Sequence, residues 1–383
     1  MYFMSYRTLE ELEGGTFDHG ENEEKYGSGL YYAHREDLHL GLRRLAWGEG
    51  MGDGETGRVR LERGKRVVGY DAQTPLITLS DGSVVTANLV IAADGVHSLA
   101  VEHVLGHPHP AEVPTGTKAN LCYRFLIPKA DVDDDSETRF FHESPQSMGC
   151  RVWVDLPGKK RLISYPCRDN EILNFIVILR DEKVTTTRED WLASVDKSEV
   201  LEKLSNFHPG LLAVINKATE VKRWPLLYRP PIPTWHRGRL VLAGDAAHPM
   251  LPHHAQGGAQ GIEDGLALGL ALHGVTDPSQ IQDRVILYEK IRRNRASAIT
   301  VMSNFGFDEE APEELLEYLE GQQTPKNVTD MLNFAYIPDV LKRTVQTLTE
   351  FDPNWTLPEG YFVEEPKTAS ISLPSPSGTT FSG

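Results

Sequence analysis

Residues 239–264 carry the clearest chemical pattern in the sequence. The short apolar run from Arg239 to Ala243 fits a buried strand that ends at Gly244-Asp245. A carboxylate at a strand end suits a ribose hydroxyl, and a glycine without Cβ lets a ligand approach the backbone. After a loop stiffened by prolines, Gln256-Gly257-Gly258 opens an apolar helix. Because the free N–H groups of a helix start suit a delocalised anion, these residues predict a cofactor site.

Two upstream positions have side chains that could contact the same ligand. Arg35 lies in the first turn of a predicted amphipathic helix, in which leucines recur at helical spacing. A solvated surface arginine is the alternative for this position. Asp94-Gly95 ends the apolar run 88–93, which is typical of a strand buried on both faces of a parallel sheet. An ordinary turn is the alternative for Asp94-Gly95.

Three other patterns are interpreted as structural. Gly52 to Gly57 matches GxGxxG, but it follows a helix and carries two carboxylates that would repel a pyrophosphate, so it predicts a surface loop. The arginine-rich piece Lys290 to Arg295 predicts a solvated helix face. His248 is interpreted as a loop histidine held by a backbone bond. No second ligand stands at metal spacing from it, so no metal site is predicted.

Composition limits the classes of function. The chain has 383 residues and a formal net charge of -16, which argues against nucleic acid or anionic membranes as partners. No run of 18 apolar residues predicts a membrane span, and no signal peptide is recognised at the start. The three cysteines show no CxxC spacing, which favours a reducing compartment and a cytoplasmic location.

The order of predicted elements divides the chain into four parts. Residues 1–104 and 226–350 are predicted to form two parts of one α/β domain. Residues 105–225 contain runs spaced like the strands of one antiparallel sheet, with one face on a core or cavity, and form an inserted domain. Residues 351–383 are predicted to be a disordered tail.

Three segments in this order carry a family resemblance. They are Arg35-Glu-Asp-Leu-His39, Ala92-Ala-Asp-Gly-Val-His-Ser98, and Gly244-Asp-Ala-Ala-His-Pro249 with Gln256-Gly-Gly258 behind it. The sequence resembles the FAD-dependent aromatic monooxygenases of the salicylate hydroxylase and para-hydroxybenzoate hydroxylase type, over roughly residues 28 to 300. It is most similar to the fungal group that acts on phenolic or polyketide intermediates. The resemblance implies a Rossmann-like FAD-binding domain with an inserted substrate domain.

The resemblance also implies roles for the cofactor residues. Arg35 would lie by the phosphates or ribityl chain of FAD, and Asp94 near the pyrophosphate, where it also handles NAD(P)H. Asp245 would bind a ribose or ribityl hydroxyl. The loop that contains Pro252, Gln256, Gly257 and Gly258 would lie against the isoalloxazine, and its helix start would stabilise the negative charge of reduced flavin. Ala255 stands where some branches carry glycine.

The implied reaction is the transfer of one oxygen atom from O₂ to an electron-rich aromatic ring, after NADPH or NADH has reduced FAD. Because a phenolate is a better nucleophile than a phenol, a cation near its oxygen should help. Arg124 is the candidate for that cation, with a surface partner for the acidic run 131–135 as the alternative. Tyr165 and His253 are candidates for the substrate pocket. A packed strand tyrosine and a plain loop histidine are the respective alternatives.

One expected unit is missing from the FAD-binding domain. Members of this family open with a strand, a GxGxxG turn and a helix, and this unit seats the ADP half of FAD. Residues 1–30 show no such pattern, so we expect uncovered apolar surface on the first sheet. Three hypotheses follow: a truncated sequence, a unit supplied by another chain, or a paralogue that serves as a non-catalytic binding or scaffold protein. A flavin-dependent dehydrogenase of the same fold is a further alternative.

Overall fold

The computed structural model describes residues 1–16, 19–47, 59–115, 118–184, 194–305 and 311–361. Within these ranges the strands are β1 (Tyr2–Ser5), β2 (Glu11–Thr16), β3 (Val67–Asp71), β4 (Leu76–Leu79), β5 (Val84–Thr86), β6 (Val90–Ala92), β7 (Leu121–Pro128), β8 (Arg151–Asp155), β9 (Lys160–Cys167), β10 (Ile172–Leu179), β11 (Ser194–Val195), β12 (Val221–Pro225), β13 (His236–Arg237) and β14 (Leu240–Leu242). The helices are α1 (His19–Tyr26), α2 (Arg35–Trp47), α3 (Ala100–Leu105), α4 (Lys129–Asp133), α5 (Phe140–Glu143), α6 (Lys197–Lys203), α7 (Pro209–Ile215), α8 (Gly257–Leu272), α9 (Ile281–Ser303), α10 (Val328–Tyr336) and α11 (Val340–Phe351). The predicted fold class, α/β with an antiparallel insert, is confirmed.

The largest sheet has eight strands in the order β11-β12-β7-β10-β9-β8-β1-β2. Its neighbouring strands pair antiparallel, except β1 and β8, which pair in parallel. Because side chains alternate between the faces of a strand, Tyr123 and Phe125 of β7 enter a core with α4 to α7. Ile163 and Ile176 point to the opposite face. The predicted sheet with one face on a core is therefore confirmed, and β1 and β2 extend it beyond the predicted insert.

A smaller sheet brings the two aspartate loops together. Its order is β13-β14-β6, with β14 and β6 parallel. The carboxyl ends of parallel strands meet at one edge, so Asp94 and Asp245 emerge from the same edge of the sheet. Helices α8 and α9 pack beside it, with Trp235 and Tyr288 in the shared core. Each aspartate loop therefore starts from a rigid element.

The strand β6 is less buried than its sequence predicted. The apolar run predicted burial on both faces, but Ile91 is 45% exposed. In the described part of the chain β6 is an edge strand that pairs with β14 alone, and this explains the exposure. Helix α2 likewise exposes Leu42 and Leu45. The expected uncovered apolar surface is therefore present in this structure.

The prediction of a disordered tail from residue 351 onward is wrong for its first residues. Residues 352–361 are described, and Trp355 is buried against Leu270, Leu287 and Leu348. The remainder of the predicted tail, residues 362–383, lies outside the described residues, as does the GxGxxG stretch at 52–57. Among the described helices, none combines the length and the apolar character needed to cross a bilayer. The division of the chain at residues 104 and 225 stays a prediction.

Candidate flavin and substrate site

Asp245 and Arg35 face each other beside the start of α8. Asp245 lies in a 3₁₀ turn directly after β14, and Gly244 enters this turn with φ +59°. The position of a Cβ on Gly257 would be 4.0 Å from Asp245 Oδ1. Loss of water around the carboxyl group raises the pKa of Asp245, whereas the charges of His248, Arg35 and Arg229 lower it. The side chain itself keeps contact with solvent, so its carboxylate is open to a polar ligand.

The start of α8 is uncapped and sterically open. Gln256 occupies the N-cap, and no side chain accepts a hydrogen bond from the first turn. No atom would lie within 4 Å of a Cβ on Gly258. Ala255 adopts the left-handed conformation, with φ 53° and ψ 28°, which glycine adopts at less cost than alanine. An uncapped helix start with open space beside it can receive the negative end of a cofactor.

A buried arginine that the sequence analysis did not select joins the two aspartate loops. Arg229 is 1% exposed and donates to the carbonyl oxygens of Val96 and Ala246. Asp94, in the first of these loops, accepts a hydrogen bond from Tyr70 Oη at 2.9 Å. The structure therefore links the loop of Asp94 to the loop of Asp245 through Arg229, and it gives Asp94 a tyrosine partner of its own.

His248 is held by a carboxylate and not by the backbone bond that the sequence predicted. Its Nε2 lies 2.6 Å from Asp264 Oδ2, and the same oxygen accepts the N–H of Gly244 at 2.8 Å. Arg292 donates its Nε to Asp264 Oδ1 at 2.9 Å. His248, Asp264 and Arg292 are all buried. This buried network fixes the turn that carries Asp245 to α8 and α9.

Two arginines of the arginine-rich piece of α9 are buried, and only its other polar residues are solvated as predicted. Arg292 is fully buried and Arg295 is 7% exposed. Arg295 forms two bonds with Glu263, at 2.9 and 2.8 Å, and also donates to the carbonyl oxygens of Phe334 and Ala335. The i, i+3 spacing of Arg292 and Arg295, which places both cations on one face of α9, is the sequence signal that could have indicated this network.

A cavity of about 390 Å³ lies between the large sheet and the loop before α8. Its floor is the face of β8, β9 and β10 that points away from the helical core. The structure places Tyr165, His253 and Pro252 in its wall. The full lining comprises Met1, Phe3, Tyr26, Leu30, Tyr31, Tyr32, Ala33, Cys150, Val152, Arg161, Ile163, Tyr165, Ile176, Ile178, Pro252, His253, His254, Ala255, Leu332 and Tyr336. Such an apolar and aromatic lining with few polar groups is typical of a small-molecule site.

Arg161 is the positively charged side chain of this cavity, and sequence reasoning did not select it. Its Nη1 donates to Nδ1 of His253 at 2.9 Å, so that nitrogen must be unprotonated. Burial, the charge of Arg161 and the adjacent His254 lower the pKa of His253 to about 3. The ring is therefore a neutral acceptor that orients a permanent cation. The alternation of Arg161, Ile163 and Tyr165 on one face of β9 is the signal that could have found it.

Arg124, the cation predicted from the sequence, is not part of the cavity lining. Its Nε donates to Asn174 Oδ1 at 3.0 Å, and it also bonds to Tyr165. Its predicted alternative is not observed either, because Lys129 and Lys217 pair with Asp133 and Asp135 of the acidic run. Arg124 therefore lies behind Tyr165 on the same face of the sheet and supports it.

The buried histidines predict a loss of stability in acid. Burial lowers the pKa of His253 to about 3 and of His254 to about 4, whereas an unfolded histidine titrates near 6.5. The unfolded chain therefore binds protons that the folded chain excludes, and stability falls as the pH drops below about 6.5. Each histidine should lower the free energy of unfolding by about 1.4 kcal/mol between pH 8 and pH 5.5.

Urea denaturation at both pH values, on the wild type and His253→Gln, measures this effect. The change in the free energy of unfolding between the two pH values should be about 1.4 kcal/mol smaller in the variant than in the wild type. The exposed His273 provides the control, and His273→Gln should match the wild type. Equal pH dependence in His253→Gln and the wild type would contradict a neutral ring at this half-buried position.

Comparison with known proteins agrees with this geometry. The family pattern described as FAD binding domain matches residues 55–303. An FAD-dependent monooxygenase of Aspergillus candidus is 42% identical over 86% of this chain and 75% of its own length. A 6-hydroxynicotinate 3-monooxygenase of Bordetella bronchiseptica is 33% identical over 73% of this chain and 66% of its own. A solved salicylate hydroxylase substrate complex has a TM-score of 0.68 and 22% identity, over 90% of this chain and 81% of that one.

The residues present fit one half of FAD. The exposed carboxylate of Asp245, the neighbouring Arg35 and the open, uncapped start of α8 suit a hydroxylated chain that leads to an electron-poor ring. The described residues contain no strand, glycine turn and helix unit for the ADP half. The matched FAD-binding pattern, the similarity to fungal monooxygenases and this half-site show that the chain belongs to the FAD-dependent monooxygenases, a family of flavin oxidoreductases.

Proposed function

We propose that this chain hydroxylates an aromatic substrate with a phenolic or other acidic group, at the expense of NAD(P)H and O₂. The observation that carries this proposal is the Arg161–His253 pair in an aromatic-lined cavity whose wall includes Pro252 to Ala255, directly before α8. The relatives named hispidin-3-hydroxylase and 6-hydroxynicotinate 3-monooxygenase support a ring hydroxylation. Both are similar to this chain over about three quarters of its length.

Four residues or groups of residues would hold the cofactor. Asp245 would accept hydrogen bonds from hydroxyl groups of its sugar chain, and Arg35 would face its phosphates. The start of α8 at Gln256, Gly257 and Gly258 would lie against the ring and oppose its negative charge. Asp94, with Tyr70, would contact the pyrophosphate side. Bound FAD supplies the electrons, taken from NAD(P)H, that activate O₂ for insertion into the substrate.

Residues of the chain would prepare the substrate. Arg161 would bind a phenolate or carboxylate oxygen and favour the ionised form, which makes the ring a better nucleophile. Neutral His253 would orient the guanidinium without adding a charge. Tyr165, supported by Arg124, would pack against the ring. The apolar floor would exclude water from the reacting atoms.

We also propose that residues 105–225 act as the substrate domain between the two parts of the FAD-binding domain. The cavity floor supports this division, because Arg161, Ile163 and Tyr165 all come from β9. Residues 1–16 contribute Met1 and Phe3 to the cavity as well. The substrate domain would therefore include strands from outside the inserted segment.

Binding of FAD is the first test of this function. A leucine at Gly258 would enter the open space beside the helix start, so we expect Gly258→Leu to weaken FAD binding by about 100-fold or more, which equals about 2.8 kcal/mol. Gly265 is an exposed glycine of the same helix, also with no atom within 4 Å of a Cβ. Gly265→Leu is therefore the control, since it carries the same gain in helix propensity.

The measurements are flavin absorbance and the rise in melting temperature with added FAD. The wild type and Gly265→Leu should bind FAD and gain stability, because a ligand that binds the native state raises the apparent stability. A colourless wild type that gains no stability would favour the non-catalytic paralogue. A chain that binds FAD and oxidises NAD(P)H without transferring ¹⁸O from ¹⁸O₂ to an aromatic product would favour the dehydrogenase.

A further inference from the structure

The floor of the cavity is longer than one aromatic ring. Arg161, Ile163 and Tyr165 alternate on β9 and all line the cavity. With about 3.3 Å per residue, the Cα atoms of Arg161 and Tyr165 are roughly 13 Å apart, and a single ring covers about half of that distance. Among the lining residues that the structure describes there is one arginine, Arg161, and no aspartate, glutamate or lysine. The floor thus has a cationic end at Arg161.

Tyrosine rings surround the other end of the floor. Tyr165 stacks on Tyr32, with ring centroids 5.5 Å apart and an interplanar angle of 25°. The backbone N–H of Cys150 donates to the Tyr32 hydroxyl at 3.2 Å. Tyr26 and Tyr336 form a second ring pair, with centroids 5.4 Å apart. All four tyrosines line the cavity, and we call them the aromatic end.

Helix α10 fixes the aromatic end in place. Tyr26 donates its hydroxyl to Asn333 Oδ1 at 3.0 Å, and Tyr336 bonds to the side chain of Gln256 at the start of α8. Arg295 donates to two carbonyl oxygens in the last turn of α10 and also forms an ion pair with Glu263 of α8. Helix α10 lies beyond residues 55–303, the part that matches the FAD-binding family.

We propose that the cavity selects aromatic anions with at least two rings, with the anionic group at Arg161 and the distal ring among the tyrosines of the aromatic end. Tyr336 of α10 is the specificity-determining residue of this selection. The inference rests on the proposed function, because it assigns a substrate class to the same cavity. It follows from the length of the floor, the charge at one end and the four rings at the other.

Two probes with the same functional groups and different lengths test the proposal. They are 4-hydroxybenzoate, with one ring, and 4′-hydroxybiphenyl-4-carboxylate, with two. Each is titrated by calorimetry into the purified full chain with FAD added. The wild type should bind the two-ring probe about tenfold more tightly, in line with the contribution of a ring pair. Tyr336→Ala should bring this preference to about threefold or less and leave the one-ring affinity unchanged.

Two further variants separate packing from structural damage. Tyr336→Phe removes the bond to Gln256 but keeps the ring, so it should retain the two-ring preference. Ile337→Ala alters the adjacent residue, which is 56% exposed, and should match the wild type. A wild type without two-ring preference, or equal losses for both probes in Tyr336→Ala, would overturn the inference alone. A folded wild type that binds neither probe would overturn the proposed function together with it.

Discussion

Replacement of Arg292 by methionine is expected to lower the free energy of unfolding by about 3 to 5 kcal/mol. Arg292 is fully buried and donates to Asp264 and Glu263. Methionine fills a similar volume but leaves both carboxylates without their shared cation. Glu263 keeps Arg295, but Asp264 is left with His248 and the Gly244 N–H. A buried carboxylate that loses its arginine retains much of its cost of desolvation, and this explains the large effect. Urea denaturation at neutral pH measures it.

The adjacent arginine supplies a matched control. Arg293 is partly exposed, and its Nε lies 3.7 Å from Glu289 Oε1. Arg293→Met should therefore change stability by about 0.5 kcal/mol or less. Similar losses for the two variants would show that the network is not the source of the effect. Since Asp264 also accepts the N–H of Gly244, Arg292→Met should weaken FAD binding as well.

The second large effect is expected at Arg161. Replacement by glutamine removes the charge of the cavity but keeps an amide donor, so the affinity for 4-hydroxybenzoate should fall about 10- to 100-fold. This range corresponds to the 1.5 to 3 kcal/mol of a hydrogen bond to a charged group. FAD affinity should not change, because Arg161 lies on the substrate sheet. Calorimetry with the probe and fluorescence titration with FAD separate the two.

The same experiment decides between two arginines. Arg124, the cation chosen from the sequence, lies behind Tyr165 and bonds to Asn174. Arg124→Gln should therefore weaken the binding of 4-hydroxybenzoate by less than about fivefold, since it acts only through the position of Tyr165. A larger loss for Arg124→Gln than for Arg161→Gln would reverse the assignment.

Local sequence patterns were sufficient to predict the elements that form the candidate cofactor half of the site. Strand, turn and helix start at Gly244-Asp245 and Gln256-Gly257-Gly258 are short-range features, and the structure shows them where the sequence predicted them. Arg35 begins its helix as predicted and lies near Asp245. The order of these motifs also identified the family, because each motif consists of a few consecutive residues.

Burial and partners across the chain could not be predicted in the same way. Arg292 and Arg295 of α9 were predicted to be solvated because their carboxylate partners lie about thirty residues away on α8. Arg161 and Arg124 occupy similar alternating strands, and only the pairing of β9 with β8 and β10 places Arg161 over the cavity. The edge position of β6 exposes a strand that its composition predicted to be buried.

The sequence by itself determined the family, the fold class and the positions of the candidate flavin-binding residues, since these depend on local backbone geometry and motif order. The tertiary structure alone decided which arginine lines the cavity, which charges are buried, and how residues from β1, α1 and α10 close one cavity. These features depend on contacts between segments far apart in the chain, so they follow from sheet register and helix packing.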